Sequence, residues 1–378
     1  MTEGPAAPPG PLAGIRVLDL ATVIAGPGAA RYLADYGADV LKIERPDTGD
    51  STRGMGMPHP SDGTSLYWKI VSRNKRCATL DLKSDEGRQR VLELVDDAHV
   101  VVENFRPGTL ERLGLGPDVL LARNPTLVIL RVTGFGQDGP YAGRAGFATI
   151  AEAMSGYAAL NGEPDGGPLL PPIALTDEVT ALVGAFATMT ALWSGVGQVV
   201  DVNLLESLFQ CMGPLASAYA SSGYLQPRLG SGIPYSVPRG TWRCGDDRWV
   251  AVSTSAESVA ARVMELIGFG DRPDLLTFNG RIAAREEVDT RMAEWCGART
   301  LAEVLAAFEE AEAAAAPVYD MADIATDPHY AARGSIADVG GVAMQGLVAR
   351  LSATPGALRW PGRALGADDP PHWLTDAP

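Results

Sequence analysis

The sequence has few of the residues that build metal sites and disulfide frameworks. Its 378 residues include four cysteines and four histidines, and none of them form a Cys-x-x-Cys pair or a cluster with the spacing of metal ligands. We therefore predict no bound metal, and the scarcity of histidine disfavours catalysis by a histidine. The cysteines are predicted to be buried free thiols: Cys77, Cys211, Cys244 and Cys296.

Long apolar runs are missing as well. The longest weakly polar stretch, residues 181–193, has 13 residues and contains threonines, whereas a helix that spans a bilayer needs about 20 apolar residues. Residues 1–11 lack the basic start and apolar block of a secretory signal and are predicted to be a flexible leader. These features disfavour a membrane protein and predict a cytoplasmic one.

Positive charge is scarce and unevenly placed. The formal net charge of -15 disfavours nucleic acid as a partner, because most of the surface would repel phosphate backbones. Any single cation could simply balance nearby acids at the surface. The lysines and several arginines are clustered, however, and a cluster favours a small polyanion as the ligand, because phosphate groups need several donors in one place. The members are Lys42, Lys69, Lys75, Lys83, Arg45, Arg53, Arg73, Arg76, Arg88, Arg90, Arg106 and Arg112.

Short apolar runs alternate with helical segments through roughly the first half of the chain. Strand character is seen in IRVLDL and ADVLKIE, which enclose a helical segment that opens at a Gly-Pro-Gly turn. The same order recurs in CATLDL, SDEGRQRVLELVDD and VVVENF, with Ser84 as the predicted N-cap. Because right-handed crossovers place each helix over a parallel sheet, this alternation predicts a doubly wound α/β domain.

A segment rich in Gly, Ser and Pro separates this part from a smaller one. Residues 221–239 are predicted to be a linker, and residues 240–316 a small domain with a hairpin followed by helices. The last helix, LAEVLAAFEEAEAAAA, is predicted to run until Pro317 stops it. Strand-like pieces follow Pro317.

Two adjacent acids stand at the start of an otherwise uncharged helical segment. Between residues 172 and 193 the only ionisable side chains are Asp177 and Glu178. One interpretation is that Asp177, or Thr176 beside it, caps the helix, a contribution of about 1 kcal/mol. The other is that a carboxylate sheltered by apolar surroundings acts as a nucleophile. Spacing alone leaves both open and favours the cap.

Several blocks of the sequence resemble the class III coenzyme A transferases, the family of formyl-CoA transferase, carnitine CoA-transferase and the α-methylacyl-CoA racemases. The likeness extends from about Leu12 to Gly366 and is carried by LDLATVIAGPGAARYLADYGADVLKIERP, SRNKRCATLDLKSDEGR, VVENFRPGTLERLG, GVGQVVDVNLLESL and APVYDMADIATDPHYAARG. It implies a Rossmann-like α/β large domain formed by residues 12–220 and 317–378, with a smaller α/β domain between them. It also implies a homodimer of interlocked, ring-like subunits.

The resemblance also implies a set of site residues. The position that matches the family's catalytic aspartate is Asp177, which would attack an acyl-CoA thioester, form a mixed anhydride, and then carry CoA as an enzyme-bound thioester until an acceptor acid resolves it. Coenzyme A is the implied co-substrate, with cations on its phosphates and with loop backbone and Leu80 on its adenine. The matching CoA positions are Val23, Ile24, Ala25, Arg45, Leu80, Asp81, Lys83, Asn104, Phe105, Arg106 and Arg112.

Departures from the relatives bear on the activity. The racemases have a His-Asp pair in the segment that reads Gly146-Phe147-Ala148 here, so the base for an α-proton is absent. The transferases often have an acid at the position of Ala148, and Glu152 is a candidate to compensate for it. Formyl-CoA transferase has a run of glycines that closes over its active site. No such run precedes Trp242 here, which argues against oxalate as a substrate.

We therefore predict a CoA-transferase that moves CoA from an acyl-CoA donor to a carboxylic acid acceptor. The alternatives are an acyl-CoA racemase or isomerase on the same scaffold, and a catalytically silent CoA-binding subunit. The sequence does not specify the donor or the acceptor, because loops and the partner subunit line the substrate pockets of such folds.

Overall fold

The computed structural model of the protein describes residues 10–374, so most of the predicted leader lies outside the described residues. The strands are β1 (Arg16–Asp19), β2 (Asp39–Glu44), β3 (Arg76–Thr79), β4 (Val100–Glu103), β5 (Val128–Thr133), β6 (Gln198–Asn203), β7 (Arg239–Arg243), β8 (Trp249–Ser253), β9 (Ala314–Pro317), β10 (Ile336–Val339) and β11 (Val342–Gln345).

Helices connect these strands, and many are short. They are α1 (Ala25–Asp35), α2 (Leu66–Val71), α3 (Asp85–Asp96), α4 (Thr109–Arg112), α5 (Pro117–Arg123), α6 (Ala148–Met154), α7 (Tyr157–Leu160), α8 (Leu175–Ser194), α9 (Leu204–Phe209), α10 (Leu215–Ser222), α11 (Glu257–Leu266), α12 (Phe278–Ala283), α13 (Arg285–Gly297), α14 (Leu301–Glu310), α15 (Met321–Thr326) and α16 (Pro328–Arg333).

The central sheet is parallel and has the order β3-β2-β1-β4-β5-β6. This is the doubly wound order of Rossmann-like folds, in which the direction of progression reverses between β1 and β4 and leaves a crevice outside the carboxyl ends of the strands. The first five strands are almost wholly buried, as expected for a sheet with helices on both faces. The predicted α/β fold class is confirmed.

Alternate residues of each strand enter two different apolar layers. Val17 and Leu130 pack in the layer that contains α1 and α8, whereas Leu18 and Ile129 pack in the layer of α3 and α5. Helices α1 and α8 lie close together because glycine is present at the contact: a Cβ at Gly28 would stand 2.9 Å from the Cβ of Ala181. Helix α8, which carries Asp177, is thereby fixed against the sheet.

The chain divides into two compact units. One consists of the chain up to Ser155, Pro171–Met212 and the residues from His329 onward, and the other of Gly156–Leu170 and Gly213–Pro328. The second unit contains the antiparallel sheet β7-β8-β9. The predicted linker 221–239 falls within this unit, since Val237 is part of its buried core. The predicted domain bounds, 12–220 with 317–378 and 240–316, stay predictions.

One predicted helix end was wrong. Helix α14 ends at Glu310 rather than at Pro317, because Glu312 adopts a left-handed φ of 49° and the N–H of Ala313 bonds to the carbonyl of Phe308. The alanines that follow form β9 and pair with β8. A local helix-forming preference is thus overridden by a strand pairing.

Cys211 is exposed, which contradicts the prediction of four buried thiols. It lies in a 3₁₀ turn after α9, where its side chain has no core to enter. The other three cysteines are buried and free. Within residues 10–374, no three His, Cys, Asp or Glu side chains are grouped to hold a metal. The described helices include none with the length and apolarity required to cross a bilayer.

Candidate active site

A cavity of about 520 Å³ lies at the carboxyl edge of the sheet, where ligands bind in doubly wound folds. Loops that follow β1, β2, β3 and β4 line it, so it spans the crevice at the switch in strand order. Five of the predicted CoA-binding residues are in its wall: Arg45, Leu80, Asp81, Lys83 and Phe105. The six others are not in the lining, and neither is Asp177.

The loop between β1 and α1 is held in a strained shape at this crevice. Val23 has a φ of 69°, a conformation that is unfavourable for a β-branched residue and persists only when its surroundings enforce it. Its N–H lies 3.3 Å from both oxygens of the buried Asp50 carboxylate. Ile24 and Ala25 follow as the buried start of α1.

Asn104 connects this loop to the end of β4. Its Oδ1 accepts a hydrogen bond from the N–H of Thr22 at 2.7 Å, and its Nδ2 donates to the carbonyl of Thr22 at 2.6 Å. Both polar ends of the Asn104 amide are therefore occupied by protein backbone. The amide fixes the loop across the switch point.

Several cations of the basic window are paired with acids inside the protein. Lys42 and Lys75 are completely buried. Lys75 donates to Asp19 at 2.7 Å and to the carbonyl of Pro27 at 2.6 Å. Lys42 bonds to the carbonyl of Ala21 and lies 3.3 Å from Asp50. These ammonium groups neutralise buried acids.

The buried arginines of the window behave in the same way. Arg73 is fully buried and pairs with Asp35, and Arg76 pairs with Asp39. A charged acid is costly to bury unless cations or hydrogen-bond donors compensate it. Such pairs explain why cations cluster in this part of an acidic chain without any need for a ligand.

Four cations at the carboxyl edge differ from the rest. They are exposed, and none has an acidic partner within 4.0 Å among residues 10–374. One follows β2, one lies between β3 and α3, one is in the loop after β4, and one is the last residue of the short helix α4. They are Arg45, Lys83, Arg106 and Arg112. Cations without an acidic partner are the kind of donor that a polyphosphate needs.

Asp177 is the third residue of α8. The N-cap is Ala174, whose side chain makes no capping bond, and no described residue donates a hydrogen bond to the Asp177 carboxylate. Burial, together with the nearby charges of Glu152 and Glu178, raises the pKa of Asp177 to about 6. The capping interpretation is not supported, because a capping carboxylate accepts first-turn N–H bonds.

The neighbours of Asp177 are engaged with other elements. Glu178 accepts hydrogen bonds from Arg31 at 3.1 Å and from the Tyr32 hydroxyl at 3.0 Å, both on α1. Thr176 donates its hydroxyl to Glu152 of α6 at 2.9 Å. Of the polar side chains in the first turn of α8, Asp177 alone is left without a partner within the described chain.

Sequence reasoning did not single out two residues that hold this region. Asp50 is a loop residue with no local pattern, yet it fixes Val23 and pairs with Lys42. Arg31 anchors the start of α8 through Glu178, which is 147 residues away. The one local signal was a charged residue on the apolar face of α1, which predicts a buried ion pair but not its partner.

The fold agrees with the comparisons to known proteins. The family model for CoA-transferase family III matches residues 12–369. The chain belongs to CoA-transferase family III, and it is an enzyme that moves CoA from an acyl-CoA to a carboxylic acid.

Its relatives include two curated enzymes from Chloroflexus aurantiacus. The chain is 42% identical over 374 residues to the succinyl-CoA–L-malate CoA-transferase beta subunit, covering 94% of this chain and 91% of that protein. It is 38% identical over 371 residues to the succinyl-CoA–D-citramalate CoA-transferase, covering 95% and 92%. A solved CAIB/BAIF family protein from Brucella suis matches with a TM-score of 0.84 and 32% identity, covering 95% of this chain and 97% of that one.

Proposed function

We propose that Asp177 is the covalent carrier of this CoA-transferase. The observation that supports this role is a partly buried carboxylate with no hydrogen-bond partner in the described chain, in the first turn of a 20-residue helix. A carboxylate without donors keeps its full nucleophilicity, and the helix dipole favours negative charge at this end. With a pKa of about 6, Asp177 is mostly ionised at neutral pH.

The first half of the proposed reaction releases the donor acid. A carboxylate oxygen of Asp177 attacks the thioester carbonyl, the C–S bond breaks, and CoA leaves as a thiolate while an acyl–aspartyl anhydride forms. The thiolate then attacks the aspartyl carbonyl of the anhydride. This step forms an aspartyl–CoA thioester and frees the donor as its carboxylate.

The second half repeats these steps with the acceptor. Its carboxylate attacks the aspartyl thioester, which gives a new mixed anhydride and CoA thiolate. The thiolate attacks the acceptor carbonyl, releases the new acyl-CoA and restores Asp177. Water must be excluded, because water would hydrolyse either intermediate. The apolar surroundings of α8 suit this requirement.

We further propose that the four free cations bind the phosphates of CoA. Replacing Lys83 with methionine is expected to raise the KM for the acyl-CoA about 10- to 100-fold, since a charge-assisted hydrogen bond contributes roughly 1.5–3 kcal/mol. The measurement is steady-state kinetics at fixed acceptor concentration. The matched control is Lys69→Met, because Lys69 lies in the same window but is paired with Asp62. Equal effects of the two changes would contradict the assignment.

For the substrates, we propose succinyl-CoA as the donor and a short dicarboxylic acid as the acceptor. The support is that two relatives at 38% and 42% identity are named for succinyl-CoA with D-citramalate or L-malate. A screen of acyl-CoA donors against mono- and dicarboxylic acids, read by mass spectrometry of the CoA products, tests this. Transfer to monocarboxylic acids alone would contradict the proposal.

We also propose a cytoplasmic homodimer with interlocked subunits. Large apolar side chains of α8 are uncovered in the single chain, with Trp193 92% and Phe186 74% exposed, and such exposure marks an association surface. Light scattering should give the mass of two chains. Because one relative is named as a beta subunit, a monomer that gains activity only with a second protein would favour a mixed assembly instead.

A further inference from the structure

We propose that Glu152, on α6, is a positioning residue for Asp177 that also sets the pH range in which Asp177 reacts. This inference rests on the proposed role of Asp177. Ala148, one helical turn before Glu152 on α6, has no charged side chain. Residues four apart lie on the same side of a helix, so Glu152 lies on the same helix face as Ala148.

The environment of Glu152 is unlike that of the other buried acids. Six acids are at most 4% exposed among residues 10–374. Five of them are paired directly with lysine or arginine: Asp19, Asp35, Glu44, Asp50 and Glu103. Glu152 is the one described buried acid without a cationic partner. Burial of a carboxylate without a compensating cation is unfavourable. A contribution to stability therefore does not explain why a glutamate is present at position 152.

The one side-chain hydrogen bond of Glu152 within residues 10–374 leads to the candidate nucleophile. Its Oε1 accepts from the hydroxyl of Thr176 at 2.9 Å, and Thr176 is completely buried and precedes Asp177 directly. The carbonyl of Thr176 in turn accepts a hydrogen bond from the Thr180 hydroxyl at 2.7 Å. Glu152 therefore holds the backbone turn from which Asp177 projects.

The charge of Glu152 acts on Asp177 as well. After burial, Glu152 is the larger of the two charges that raise the pKa of Asp177, ahead of Glu178. A higher pKa makes a carboxylate the stronger nucleophile once it is ionised. The Glu152 carboxylate thus both orients Asp177 and keeps its basicity above that of an ordinary aspartate.

The other charged groups on elements packed against α8 are occupied elsewhere. On α1, Arg31 and Tyr32 bond to Glu178. On α9, Glu206 accepts from Asn203. On β5, Arg131 pairs with Glu103 and Glu111, and on β6, Asp201 accepts from the N–H of Gln137. None of these groups compensates the charge of Glu152 or of Asp177.

The test is the pH dependence of kcat/KM for succinyl-CoA in the full-length enzyme. Glu152→Gln retains the size of the side chain and an acceptor for Thr176 but removes the charge. We expect its acid limb to move down by at least about 0.5 pH units, because loss of a like charge lowers the pKa of Asp177. The matched control is Glu178→Gln, which removes a charge already compensated by Arg31 and should move the limb less.

A second variant separates positioning from charge. Thr176→Val removes the hydrogen bond but leaves both carboxylates, and we expect kcat to fall about 10-fold with the KM for succinyl-CoA unchanged. An unchanged acid limb in Glu152→Gln would overturn the inference, and so would an unchanged kcat in Thr176→Val if Glu152→Gln does not fold. The proposed function has a separate test: activity retained in Asp177→Asn would remove the nucleophile itself, whatever the Glu152 result.

Discussion

Asp177→Asn is expected to lower the rate of CoA exchange by at least about three orders of magnitude while leaving CoA binding intact. The asparagine has the shape of aspartate but cannot form an anhydride, and loss of a covalent nucleophile removes the whole reaction path rather than one favourable contact. Asp177 is not among the residues that line the crevice cavity, so the proposed phosphate contacts of CoA do not depend on it. Exchange is measured by mass spectrometry, and CoA binding by calorimetry.

The matched control is Glu178→Gln, one residue along the same helix turn. It removes a carboxylate that is already bonded to Arg31 and Tyr32, so it should reduce exchange far less than Asp177→Asn. Comparable losses in both variants would mean that the helix start is disturbed rather than that a nucleophile is lost. Deuterium uptake at the α-carbon of a branched acyl-CoA, undiminished in Asp177→Asn, would instead favour the isomerase alternative.

Lys75→Met is expected to lower the free energy of unfolding by about 3–5 kcal/mol, because it leaves a buried acid without its closest partner. Asp19 and Lys75 are both completely buried, and their charged atoms are 2.7 Å apart. The second partner of Asp19 is Lys42, whose ammonium nitrogen is 3.8 Å from the Asp19 carboxylate and is also paired with Asp50. Urea denaturation followed by circular dichroism gives the difference.

Two further variants serve as controls for Lys75→Met. Lys69→Met removes an ion pair at the surface, with Asp62, and such pairs contribute about 1 kcal/mol or less. Asp19→Asn combined with Lys75→Met removes both charges, and we expect it to recover part of the lost stability. A change below about 1 kcal/mol in Lys75→Met would show that the buried pairs are not what stabilises this edge of the sheet.

The fold could be predicted because its signals are local. Strands such as VVVE and VILRVT are continuous apolar runs, which is typical of a sheet covered on both faces. Ser84 was predicted as an N-cap, and its hydroxyl accepts the N–H of Gly87 at 2.9 Å. The end of α14 could not be predicted in this way, since it depends on pairing between Ala314–Pro317 and a strand more than 60 residues earlier.

Side-chain roles in the candidate site were harder to predict for the same reason. Lysines of the basic window look alike in the sequence, yet Lys75 is buried against Asp19 while Lys83 is exposed at the crevice. Which acid neutralises which cation is decided by strand order. Asp177 was found through family blocks on both sides of it, whereas the bond between Glu152 and Thr176 joins residues 24 positions apart and has no periodic signal.

The most direct test of the account is to trap the covalent intermediate. The enzyme is incubated with succinyl-CoA, quenched with hydroxylamine, digested and analysed by mass spectrometry. We predict a hydroxamate on the peptide that contains residue 177, assigned by fragmentation to Asp177 and dependent on the CoA donor. A hydroxamate on Glu152 or Glu178, or an unmodified peptide from an enzyme that is still exchanging CoA, would contradict the central claim.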